Sequence, residues 1–167
     1  MSARLLFERI SRRALVLALA IAMAGIASAA QAELASFAKS KLVIETASGK
    51  YPFSIELALT QPQMAQGLMY RRTLAPDAGM LFDYGAPQPV AFWMKNTLIP
   101  LDMIFIGADG TVVDFHERAV PLSLDPIESK VPARAVLEVN GGTVARLGLR
   151  VGDVVHHAFF GNAVSAE

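Results

Sequence analysis

The sequence predicts a mainly β fold, a single-domain antiparallel β-sandwich or squat barrel with one inserted helix. Many short apolar runs are separated by Gly, Asp and Pro turns, with too little chain between most of them for crossover helices. Period-two alternation is clearest where Phe53, Ile55, Leu57 and Leu59 interleave with Ser54, Glu56, Ala58 and Thr60. Ala108-Asp109-Gly110, between two β-prone runs, is the strongest hairpin signal in the chain.

The elements follow in order. Residues 41–47 form a β-prone run, and Ser48-Gly49-Lys50 turns it back onto the alternating strand 53–60. Thr60-Gln61-Pro62-Gln63 reads as a capping box with proline in the first turn, so one helix starts there. Met64 and Leu68 share a face of that helix, and Arg71 and Arg72 sit near its C-terminal end, where cations suit the dipole. Gly67 inside the helix costs about 1 kcal/mol relative to alanine and leaves room for a second backbone. Strands are expected at 80–83 and 90–95, then at 101–106 and 111–117 around the Asp109-Gly110 turn. Residues 121–132 are rich in Ser, Asp and Pro and lack periodicity, which suits a lid, a binding loop or a disordered excursion. Strand 134–140 is broken by Gly141-Gly142, residues 143–147 form one helical turn, and 151–160 close the domain with a last β segment.

The N-terminus reads as an export signal. Arg4, Arg9, Arg12 and Arg13 form a basic region, residues 14–27 an apolar one, and Ala30-Gln31-Ala32 a small-residue cleavage site before Glu33. The apolar stretch is short and alanine-rich for a membrane span, so cleavage is expected rather than an uncleaved anchor. Ser11-Arg12-Arg13 also loosely resembles a twin-arginine signal, although ordinary secretion is the plainer route. The expected organisation is a signal peptide at 1–32, a flexible leader at 33–40, one β domain at 41–160 and a tail at 161–167. The location is periplasmic or secreted, with membrane contact only during export.

Cleavage removes four arginines and Glu8, leaving a mature chain of about 135 residues with a net charge of about −3. No basic patch matches a phosphate backbone, which argues against nucleic acid as partner. The chain has no cysteine, which excludes disulfides, thiol catalysis and thiolate-bound metal.

Asp102 is the residue that most needs an explanation, because it lies in a strand that otherwise reads as buried, and a core-facing charge is costly without partners. A two-residue loop at Asp109-Gly110 pairs Ala108 with Thr111, and counting back sets Ile106 opposite Val113, Ile104 opposite Phe115 and Asp102 opposite Glu117. The two carboxylates would then stand about 5 Å apart, compensated by a shared proton, a cation, or Lys95, Arg71 or Arg118. Glu138 becomes a third inward acid if Val136 faces inward. Each acid could equally accept backbone N–H bonds and anchor a loop.

Trp93 is the lone tryptophan. If Phe92 and Met94 face the core, Trp93 and Lys95 share the opposite face and offer a ligand surface beside Asn96. Methionines and His116, His156 and His157 would suit Cu(I), but Met64 and Met103 hold periodic core positions. His156 and His157 point to opposite faces of a strand. No metal or cofactor is therefore expected, and no nucleophile motif, zinc helix, phosphate loop or dinucleotide fingerprint is present.

Gly67-Leu68-Met69-Tyr70-Arg71, Gly79-Met80-Leu81-Phe82, Phe92-Trp93-Met94-Lys95-Asn96-Thr97, Pro100-Leu101-Asp102, Val136-Leu137-Glu138-Val139 and Gly148-Leu149-Arg150-Val151-Gly152-Asp153 occur in this order. Together they resemble domain-of-unknown-function family 192. That resemblance implies a compact, mainly antiparallel β fold and, in many members, an envelope location, but no reaction. Its motif positions Arg71, Trp93, Lys95, Asn96, Asp102 and Glu138 coincide with residues singled out above on physical grounds.

The expectation is an exported domain that binds a small polar ligand or a cell-envelope protein through Arg71, Trp93, Lys95, Asn96, Asp102, Glu117 and Glu138. Binding is favoured over catalysis because no complete catalytic constellation can be assembled. The alternative is a carboxylate-dependent hydrolase of envelope carbohydrate, since acids about 5 Å apart suit a retaining glycosidase. That alternative needs an open groove around both acids.

Overall fold

A computed structural model describes residues 34–164. The proposed signal peptide lies outside the described residues. The chain forms β1 (Ala38–Thr46), β2 (Gly49–Ala58), α1 (Gln61–Gln66), β3 (Ala78–Gln88), β4 (Ala91–Phe92), β5 (Leu101–Ile106), β6 (Val112–Ala119), β7 (Ile127–Glu128), β8 (Ala133–Asn140), α2 (Thr143–Leu147) and β9 (Val154–His156). A single 3-10 turn, Ala158–Phe160, follows β9.

Seven strands make one sheet in the order β6-β5-β8-β3-β2-β1-β9, and β4 and β7 pair separately. All pairings are antiparallel except β2 with β3, which runs parallel because the chain crosses over through α1. The sheet curls until its two edges meet. Thr111 bridges Val154, Val112 N–H donates to Asp153 O at 2.8 Å, and Val155 N–H donates to Gly110 O at 2.8 Å. Gly110 permits this contact, since a Cβ there would lie 2.5 Å from Val155 O. The mainly β squat barrel is thus the observed architecture, with only two short α-helices among the described residues.

Two apolar cores lie on opposite faces of the sheet. The inner one is lined from seven strands by residues such as Leu42, Ile55, Leu81, Ile104, Val112, Leu137 and Val155. The outer one gathers Met80, Phe82, Leu101, Met103, Phe105 and Val136 under Leu68, Val90 and Met94. Because both faces are covered, every residue of β5 is buried. An unbroken buried run is the expected mark of such a central strand.

Several local boundaries differ from expectation. β1 takes up Ala38, Lys39 and Ser40, residues expected as leader, because they pair with Leu57, Glu56 and Ile55 of β2. The capping box at Thr60 forms as read, but α1 ends at Gln66 and Gly67 is its C-cap, not an interior residue. Arg71 and Arg72 therefore lie beyond the helix. Strand 90–95 shortens to β4, since Met94 N–H turns to Ser123 O and Asn96 adopts φ 55°. The 121–132 segment is strapped down rather than loose. It contains β7, and Leu122 N–H, Ser129 N–H and Lys130 N–H donate to Thr97 O, Val90 O and Asp114 Oδ2.

Candidate functional site

The expected register holds in the middle of the β5–β6 hairpin, where Ile104 pairs with Phe115, and fails at both ends. At the turn Ile106 pairs with Val112 rather than Val113. At the other end Leu101 pairs with Ala119 and Met103 with His116, so two residues, Glu117 and Arg118, bulge opposite Asp102. Asp102 itself accounts for the bulge. Its Oδ1 accepts Arg118 N–H at 2.8 Å, and Arg118 takes φ 50° to deliver it.

Asp102 also accepts Gly142 N–H at 2.9 and 3.0 Å and Val144 N–H at 2.8 Å. Helix α2 has Gly142 at its N-cap and no side-chain cap of its own. Asp102 supplies from β5 the acceptor that a serine or aspartate supplies locally elsewhere. With 0 % exposure it is sealed away. Glu117 is exposed on the bulge. The expected carboxylate pair across the hairpin does not form, and the glycosidase alternative loses its groove.

Glu138 is separated from both. It pairs with Met103 across the β5–β8 ladder, whereas Asp102 pairs with Val139, so the two acids occupy opposite faces of the sheet. Glu138 shares the outer face with Val136, as expected, and is 5 % exposed. Among the described residues none offers its carboxyl a hydrogen bond or an ion pair. No fully covered side-chain oxygen or nitrogen there is left without a partner, so the carboxyl keeps an opening. That opening is a cavity of about 160 Å³ that Glu138 lines with Gly67, Phe82, Tyr84, Phe92 and Trp93. Burial with no compensating donor pushes the Glu138 carboxyl up to about 8. Burial raises Tyr84 to about 12, and the nearby Glu138 charge adds to it.

The rim is set by two loops tied together. Tyr70 N–H donates to Asn96 O, and Asn96 Nδ2 donates to Tyr70 Oη at 3.0 Å. Met94 is buried, which turns Trp93 outward to 50 % exposure, with Lys95 Nζ 5.0 Å from its ring centroid. Phe82 and Phe92 meet edge to face at 5.1 Å. Of the four described non-glycine residues with positive φ, Tyr70 and Asn96 adjoin cavity-lining Met69 and Thr97 in the chain, Leu122 donates its N–H to Thr97 O, and Arg118 serves the Asp102 anchor instead. Backbone strain of this kind clusters at functional sites.

Gly67 is the residue that keeps the cavity open, and the sequence pattern undervalued it as a helix interior position. Its φ is 49°, and a Cβ would sit 3.2 Å from Phe82 Cζ and 3.8 Å from Glu138 Oε2. Gly67→Ala is expected to cost about 1–2 kcal/mol through strain at positive φ and to narrow the cavity. The shift of the urea midpoint measures that loss, and an unchanged midpoint would contradict this role for Gly67.

Of the expected site residues, the structure gathers Trp93 and Glu138 around one cavity, with Lys95 over the Trp93 ring and Asn96 hydrogen-bonded to Tyr70, next to cavity-lining Met69. Arg71 is elsewhere. Its guanidinium pairs with Glu56 in a larger groove of about 430 Å³, also lined by Lys39 and Lys41. That groove is wider, but its arginine is already matched and its lysines are solvated, so it holds no unpaired buried group. Tyr84 and the phenylalanines were not singled out from the sequence. Their ordinary reading as core aromatics concealed them.

Residues 43–157 match the model of DUF192, described as "Uncharacterized ACR". A solved structure from Sinorhizobium meliloti 1021, of a protein described as a proposed transcription regulator, is 52 % identical. It aligns with a TM-score of 0.72, covering 75 % of this chain and 98 % of that one. A protein of unknown function from Novosphingobium aromaticivorans DSM 12444 is 40 % identical with a TM-score of 0.69, covering 75 % and 95 %. No curated protein matches the chain.

Proposed function

Since the chain belongs to domain-of-unknown-function family 192, a family whose description assigns no reaction, we propose a function from its cavity: an exported domain that binds a small molecule at Glu138. The observation that carries this reading is an unpaired carboxyl on the wall of an aromatic-lined opening. A buried polar group without a partner is destabilising. Its presence is understandable where a ligand supplies the missing partner. The concave, apolar lining with one oriented polar group is the usual character of a ligand site.

Trp93 provides the test, because it is the only tryptophan in the chain and it lines the cavity. A small molecule that enters should change the indole emission and raise the melting temperature together. A broad small-molecule screen in which no compound does both would refute the binding reading. The regulator description of the Sinorhizobium relative does not favour DNA as ligand here, given a mature net charge of about −3.

Export rests on the N-terminal pattern of basic, apolar and small-residue segments. The protein recovered from the envelope or the medium is expected to begin at Glu33. A mass spectrum that retains residues 1–32 would overturn the cleavage.

A further inference from the structure

Resting on the binding reading above, we propose that the cavity takes a small methylated ammonium ion, seated against Phe82, Tyr84, Phe92 and Trp93 with its charge matched by Glu138. Four aromatic side chains around a single carboxylate is the chemistry of quaternary-ammonium recognition. The cavity is smaller than the ~300–1,000 Å³ of a drug-sized site, so it suits a head group of a few heavy atoms.

The largely apolar and aromatic lining selects methylated over primary ammonium. A primary ammonium carries three N–H donors that need three acceptors. Besides Glu138, the lining side chains offer the hydroxyls of Tyr84 and Thr97 as acceptors, and most of the remaining wall is apolar or aromatic. Gln66 Oε1 is engaged by Ala35 N–H at 2.7 Å. A methylated ammonium needs no acceptor and gains from ring faces and one negative charge. The Trp93 ring already accepts a cation, since Lys95 Nζ lies over it.

Binding is coupled to proton release. Tyr84 on β3 is the titratable group that faces Glu138 from its own sheet. Helix α1 and the loop after it bring Met64 and Met69, and β5 brings Met103 and keeps Asp102 on the opposite face. The β4 segment brings Lys95, held over Trp93, while Arg71 is engaged by Glu56. No described cation therefore neutralises the Glu138 carboxylate, and below pH 8 the free protein holds this acid protonated. A permanent cation displaces that proton. At pH 7 the displacement costs about tenfold in affinity. A cation ~4 Å from the carboxylate, at an effective dielectric near 20, recovers roughly a thousandfold.

The test is titration calorimetry of the purified protein with choline and with its neutral isostere 3,3-dimethylbutan-1-ol, at pH 6, 7, 8 and 9. Choline affinity is expected to rise about tenfold from pH 6 to 7 and to level off above pH 8. The alcohol should bind at least tenfold more weakly than choline at pH 8, with no pH dependence. Glu138→Gln should remove the choline preference and its pH slope, and a cooperative melting transition certifies the fold of the variant. Equal binding of alcohol and choline by the unmodified protein would overturn the ammonium assignment and leave the cavity a binding site. Failure of both probes to bind would overturn the ammonium assignment, whereas the binding reading falls only if the fluorescence and melting screen also finds no ligand.

Discussion

Glu138→Met is expected to make the protein more stable at neutral pH, by about 3 kcal/mol at pH 7, and to flatten its stability between pH 5 and 8. The sign follows from proton counts. In the folded protein burial pushes the Glu138 carboxyl from 4.5 up to about 8, so the folded state keeps a proton that the unfolded chain has released. Between those values the unfolded state binds fewer protons, and stability falls by about 1.4 kcal/mol per pH unit. Below pH 4.5 both states are protonated and the penalty vanishes. Methionine matches the length of glutamate and suits a wall that already includes Met64 and Met69. His157, held below its ordinary value chiefly by burial, acts in the opposite sense as pH falls through 6.5. The informative quantity is therefore the difference between the unmodified protein and the variant at each pH. For a chain of this size about 3 kcal/mol corresponds to a melting shift of roughly 6–12 °C. A variant less stable than the parent at pH 7 would show that Glu138 has a partner which stabilises it. A local choice that lowers stability without a compensating contact is the pattern expected of a functional site.

Asp102→Ala is expected to lose at least about 3 kcal/mol, and possesses the opposite logic, because it orphans three backbone donors in the interior. Arg118, Gly142 and Val144 each present an N–H to this carboxylate at 2.8–3.0 Å. Each unsatisfied buried donor costs about 1–3 kcal/mol. The bulge in β6 and the start of α2 share that anchor, so both should loosen together. Asp102→Asn keeps one acceptor oxygen and should fall between the parent and Ala. Denaturant midpoints give the magnitudes, and hydrogen exchange at the Arg118, Gly142 and Val144 amides gives the location. A loss under about 1 kcal/mol, or exchange unchanged at all three amides, would sink the anchor role. Ligand binding at Glu138 should survive Asp102→Asn, since the sheet separates the two groups.

Much of the fold was legible in the chain because it is written locally. The alternation of Phe53, Ile55, Leu57 and Leu59 marked β2, although that strand ends at Ala58, and Thr60 with Gln63 marked the start of α1. Leu101–Ile106 was delimited correctly by Pro100 and the turn at Asp109-Gly110. Trp93 followed from Met94, whose burial turns the indole to solvent. The site was half legible. Trp93 and Glu138 were among the expected residues, but the partners assigned to Glu138 were wrong. The error came from a ladder register extrapolated six residues from Ala108 to Asp102, where Asp102 draws Arg118 N–H away and inserts a bulge. Register is a cooperative property of two strands and whatever competes for their hydrogen bonds.

The amino-acid sequence by itself determined that this is a β protein without cysteine, where its helix begins, and which acids had to be explained, because capping, alternation and turn chemistry act between near neighbours. Tertiary structure alone decided what each acid does. One carboxylate meets three backbone N–H groups from distant segments and becomes an anchor, and another meets none and faces an opening. The identity of the residues is the same in both places; the difference lies in donors brought together from 16 to 42 residues away. No local pattern encodes that distance.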